Sequence, residues 1–105
     1  MPNDGYVSLV NPDGTAHTLK WIGVNRNGLT LNHPLGSNIR NGVLYVADID
    51  TVRRFDMKTG APGEATAVAG VSRFNDLEVA ADGTIYATQT GDQSPDSWRV
   101  YKITA

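Results

Sequence analysis

The sequence has no cysteine, which removes disulfide frameworks, thiolate metal sites and cysteine nucleophiles from its chemistry. Positive charge is not in excess either. Nine Lys and Arg against eleven Asp and Glu leave a formal net charge of -2, so no basic field exists to gather nucleic-acid phosphates or an anionic bilayer. Nucleic acid is therefore not an expected partner. Nor is a membrane, because the apolar runs stop after a few residues, far short of the roughly 20 that span lipid. The opening Met1-Pro2-Asn3-Asp4-Gly5 carries neither the basic nor the apolar region of a secretory signal. That start predicts a cytoplasmic protein, or a periplasmic one if a leader has been lost. Helical periodicity is missing too, since Gly or Pro interrupts most candidate runs before they reach helix length.

What the chain does have is punctuation, with 11 Gly and 5 Pro in 105 residues. Between the breaks lie short runs rich in β-branched and aromatic residues: 6–10, 17–22, 42–47, 51–55, 65–69, 76–80, 84–88 and 99–103, with 34–40 as a weaker ninth. Asn11-Pro12-Asp13-Gly14, Arg40-Asn41-Gly42, Lys58-Thr59-Gly60 and Ala81-Asp82-Gly83 each place Gly last, where a tight hairpin needs positive φ. Hairpins of this kind predict antiparallel meanders and an all-β fold.

An internal repeat sharpens that expectation. Asn41-Gly42-Val43-Leu44-Tyr45 aligns with Asp82-Gly83-Thr84-Ile85-Tyr86 at a shift of 41 residues. A second element, Val followed by two residues and then a large apolar one, recurs at Val7–Val10, Val52–Phe55 and Val100–Ile103, with starts 45 and 48 residues apart. A period of roughly 40–50 residues with about four strands is the arithmetic of a β-propeller blade. The expected layout is one partial propeller domain over 1–105: outer strands of one blade at 5–22, a complete blade at 34–69, and inner strands of the next at 74–103. About two blades cannot close a ring that needs about four to eight. Exposed edges then predict self-association. A homo-trimer would make a six-bladed ring in which the N-terminal strands of one chain complete the last blade of its neighbour, and a dimer that joins strand edges is the second arrangement. Nine strands are one more than two such blades need.

The run Leu44-Tyr45-Val46-Ala47-Asp48 through Asp56, with Arg73-Phe74-Asn75-Asp76 and Ala81-Asp82-Gly83-Thr84-Ile85-Tyr86, resembles the gluconolactonase and senescence-marker-protein (regucalcin-like) family of six-bladed propellers. NHL-repeat propellers share the style of the first segment. The likeness runs from Gly5 to about Ile103. It implies a funnel that holds a divalent cation, usually calcium, with zinc or magnesium in some members, and hydrolysis of sugar lactones. Carried over by position, Arg73 and Asn75 are the implied substrate-binding residues for a sugar-like small molecule, and Asn75 the implied metal ligand. Leu77 stands where the family often has Gly. The blades that supply the family's Glu ligand, further Asn and Asp base have no counterpart in these residues. The reading is therefore a non-catalytic propeller fragment acting as an oligomeric binding or assembly scaffold. The alternative is a metal-dependent lactonase-like hydrolase whose pocket is rebuilt at the centre of a homo-oligomer.

The residues themselves leave each candidate two roles. Asn75 offers an amide oxygen to a hard cation or caps its own turn. The fork of Arg73 can orient a carboxylate, phosphate or sugar hydroxyl, or stand solvated on a loop. Strand alternation turns Asp76 away from Asn75, toward a structural hydrogen bond with a neighbouring blade. Asp48 and Asp50 bracket a strand end, where paired carboxylates hold a metal, act as acid and base, or bond turn backbone. Glu64, Glu78 and Asp92 have no partner nearby in sequence. His17 and His33 are too far apart for a local metal motif, although His33 before Pro34 can reach a channel mouth. Trp21 and Trp98 pack between blades or stack on a sugar. The polar stretch 90–97 is a specificity loop or a disordered one.

Overall fold

A computed structural model describes residues 5–23, 31–89 and 98–104. Among them the chain is all-β, with nine strands: β1 (Tyr6–Val10), β2 (Ala16–Gly23), β3 (Pro34–Arg40), β4 (Val43–Asp48), β5 (Thr51–Asp56), β6 (Thr66–Ala67), β7 (Phe74–Val79), β8 (Ile85–Gln89) and β9 (Arg99–Ile103). They form three meanders: β1-β2, β3-β4-β5-β6 and β7-β8-β9. Two boundaries differ from expectation in ways that matter. β6 shrinks to two residues, and β7 begins at Phe74 instead of Asp76, which brings Asn75 and Asp76 inside the strand.

The chain divides into two compact units, Met1–Pro34 and Leu35–Ala105. In the first, β1 and β2 pair antiparallel with two irregularities that absorb extra residues of β2. One centres on Lys20, a non-glycine at φ 52 whose backbone N–H donates to Ser8 Oγ at 2.9 Å. Lys20 Nζ lies 5.3 Å from the centre of the Tyr6 ring. The hairpin between the strands is tied by Asp13, which accepts from both the hydroxyl (2.7 Å) and the backbone N–H (3.0 Å) of Thr15. Ile22 and Leu31 are fully buried.

In the second unit, Asn41 (φ 53) and Gly42 (φ 77) form a two-residue turn that joins β3 to β4. Both central residues at positive φ match the strand twist, and the two-residue link leaves Arg40 opposite Val43. The turn from β4 to β5 is tighter chemically, because its first residue is Ile49 at φ 57, a β-branched side chain in left-handed backbone. Its carbonyls are held from outside: Ile49 O accepts from Phe74 N (2.6 Å) and Asp50 O from Val68 N (3.0 Å).

The apolar core lies between the four-stranded and three-stranded sheets. Phe74, Leu77, Val79, Ile85 and Ala87 pack with Ala47, Val52 and Val71, and Tyr45, Val68, Tyr101 and Ile103 border them. Phe74 and Tyr101 meet edge to face, centroids 5.9 Å apart at 86°. Burial on this scale contributes about 2 kcal/mol per large side chain. Two polar bonds fasten β3 to β7: Asn38 Oδ1 accepts from Val79 N, and Arg40 Nε donates to Val79 O, each at 3.2 Å.

Register exposes how far the internal repeat extends. The pairs Leu44–Phe55, Tyr45–Arg54, Val46–Arg53, Ala47–Val52 and Asp48–Thr51 correspond to Ile85–Ile103, Tyr86–Lys102, Ala87–Tyr101, Thr88–Val100 and Gln89–Arg99. Five of the six pairs between β4 and β5 thus have a counterpart on β8 and β9, at shifts of 41 and 48 residues.

Candidate functional site

The residues singled out by the sequence gather at the start of β7. There the ladder pairs Phe74 with Gln89 and Leu77 with Ala87, so Asn75 and Asp76 together face the single residue Thr88. This is a β-bulge, one extra residue in one strand. It overturns the expected alternation: Asn75 and Asp76 are both exposed between buried Phe74 and Leu77. The spacing Phe74-x-x-Leu77-x-Val79 carries the signal, since one step of three interrupts a period of two.

Thr88 holds the bulge. Its hydroxyl accepts from Asp76 N at 3.2 Å and donates to Asp76 O at 3.4 Å. The Asp76 carboxylate accepts from Leu77 N at 2.8 Å, a bond within its own strand and not one to a neighbouring sheet. Gly36 of β3 allows the close approach of this corner, because a Cβ there would lie 2.5 Å from Asp76 Cα. Buried Gln89 closes the other side, its Oε1 accepting from Ser72 N at 2.8 Å. Sequence reasoning missed Gly36, Thr88 and Gln89, none of which carries a motif of its own.

Arg73 precedes the strand and is exposed, as is Asn75. The register also revises the repeat at this level. By the uniform shift of 41 Asn75 falls on Pro34, but the bulge and the longer turn before β8 bring the Asn75-Asp76 pair onto Gly36. A shallow depression of about 200 Å³ adjoins the bulge, lined by Asp76, Leu77, Glu78, Tyr86, Thr88 and Val100. Neither Arg73 nor Asn75 lines it.

The other candidates are dispersed. Asp48 is buried and ion-paired to Arg53 Nε at 2.7 Å, while exposed Asp50 accepts from the Thr51 hydroxyl. The two carboxylates therefore serve different surroundings. Glu64 borders a more polar depression of about 490 Å³, where Arg54 sits 5.5 Å over the Tyr45 ring and donates to Glu64 O and Thr66 Oγ1. His17 and His33 are exposed, and His17 Nδ1 meets Thr18 Oγ1 at 2.9 Å. Trp21 is half-buried and Trp98 is 53% exposed. Asp92 and the 90–97 stretch lie outside the described residues. Among the described residues no three His, Asp or Glu side chains come together as a metal-holding group.

The chain matches no protein-family model, no curated protein and no solved structure.

Proposed function

We propose that this chain is a partial β-propeller of about two blades that works as an oligomeric binding or assembly scaffold and is not catalytic alone. The observation that carries the reading is the pair-by-pair correspondence of β4-β5 with β8-β9. Radial repetition sets equivalent strands of successive blades side by side. Consistent with it, the Asn38 side chain of β3 bonds the backbone of Val79 on β7, the first strand of the next meander. The resemblance to gluconolactonase and regucalcin-like propellers gives the reading its ancestry. With four strands in one meander, three in another and two in a third, one chain leaves a propeller open, and a homo-trimer closes six blades. Light scattering tests this: a mass of three chains supports the ring, a mass of two supports the edge-joined dimer, and a stable monomer overturns the assembly reading.

One observation favours a second reading, a divalent-metal-dependent lactonase-like hydrolase. The bulge leaves the Asn75 amide and the Asp76 carboxylate adjacent and exposed. Within one chain they do not make up a calcium site, which takes roughly six to eight oxygens. Three copies of Asn75 around an axis would have to assemble it. In that case calcium, magnesium or zinc raises the melting temperature of the native chain and leaves Asn75→Ala unmoved. No shift with any of the three ions removes this reading.

A further inference from the structure

We infer that two exposed surfaces of the Leu35–Ala105 unit are the two halves of one head-to-tail contact between copies of this chain. The outer face of β8 and β9, with Tyr86, Thr88 and Val100, receives the Leu35 and Ile39 side of β3 from the next copy. The inference rests on the partial-propeller reading and names the surfaces through which it assembles.

The chain already makes one such contact with itself. There, β7 brings Phe74 and Val79 into the core against Ala47 and Val52, and all four are fully buried. Each of these has a repeat counterpart. β3 alternates without a break between half-buried and exposed residues, so a regular ladder counted back from the two-residue turn at Asn41-Gly42 sets Leu35 opposite Asp48 and Ile39 opposite Leu44, whereas Phe74 is opposite Gln89 and Val79 opposite Ile85. Asp48 corresponds to Gln89 and Leu44 to Ile85, so Leu35 corresponds to Phe74 and Ile39 to Val79. On the receiving side Ala47 and Val52 correspond to Thr88 and Val100.

Burial separates the two sets. Leu35 is 45% exposed, Ile39 57% and Val100 67%, against 0% for Phe74, Val79 and Val52. Scattered exposed apolar residues mean little. Here they are the counterparts of both sides of a buried interface, one pair on each end of the repeat. The depression of about 200 Å³ beside Tyr86 and Val100 is the socket for the incoming aliphatic side chain. A polar bond repeats as well: Glu78 stands where Asn38 does, and its carboxylate accepts the Ile39 N–H as Asn38 accepts that of Val79. Arg40 has Ala80 as its counterpart, so its bond does not recur. Surfaces that differ and complement each other make a heterologous contact, which closes a ring when the rotation allows.

Two blocked variants of the full chain test the proposal. Ile39→Glu spoils one surface and Val100→Glu the other, and both positions are exposed enough to leave the fold intact by circular dichroism. Where either loses its β spectrum, Ile39→Ser or Val100→Ser replaces it. Light scattering is expected to give a monomer for each variant alone and a one-to-one heterodimer on mixing, because one intact pair of surfaces remains. Variants that assemble like an oligomeric native chain, or monomers that stay apart on mixing, overturn this inference while the assembly reading stands. A monomeric native chain removes both.

Discussion

Asp48 shows what a single residue contributes here. Its carboxylate has no exposed surface, and the Arg53 guanidinium that pairs with it is one-quarter exposed (26%). Desolvating a carboxylate costs several kcal/mol unless a partner compensates, so the pair is best understood through its loss. Arg53→Met removes the ion-pair partner of this buried carboxylate and is expected to destabilise by about 3 kcal/mol, measured by urea unfolding. The exposed Asp13 and Asp82 carboxylates behave differently. Asp13 is held below the ordinary aspartate range first by the Thr15 hydroxyl and then by its backbone N–H, and Asp82 by the backbone N–H and then the hydroxyl of Thr84. Lowered folded values mean that this stabilisation is present above the unfolded aspartate value and is lost as pH falls through the folded ones. A melting-temperature series into acid is therefore expected to fall less steeply for an Asp13→Asn, Asp82→Asn double variant than for the native chain.

At the scale of elements, the bulge in β7 decides the candidate site. An unbroken strand would turn Asn75 and Asp76 to opposite faces, and one extra residue leaves both in solvent. The bulge depends on Gly36, whose missing Cβ makes room for the Asp76 backbone. Gly36→Ala is expected to cost about 1–3 kcal/mol as an overpacking change, read as a lower unfolding midpoint. It should also shift the amide resonances of Asp76 and Leu77 most. A Gly42→Ala comparison separates the causes, because nothing crowds Gly42 and only its left-handed backbone (φ 77) resists a side chain.

For the whole molecule, the proposed assembly would cover apolar side chains that one copy leaves exposed, Leu35, Ile39 and Val100 among them. An interface between copies makes stability depend on protein concentration, since mass action favours the assembled folded state. The melting temperature of the native chain is expected to rise with concentration, alongside the oligomeric mass from light scattering. A concentration-independent melting temperature at monomer mass would contradict the assembly.

Short runs of Val, Ile and Tyr between turn residues were enough to place the strands, because hairpin turns and β-branched packing are local effects. The Asn41-Gly42 turn and the 41-residue repeat were legible for the same reason. The bulge left a trace in the Phe74-x-x-Leu77 spacing, but its meaning needed Thr88 and Gly36, which lie 12 and 40 residues from Asp76. Likewise, nothing local distinguishes Asp48, fully buried on Arg53, from exposed Asp50 two residues on. The sequence by itself determined the all-β class, the turns and the repeat. Tertiary structure alone decided which carboxylates are buried and which apolar faces stay open, because burial and register depend on surfaces brought together from distant parts of the chain.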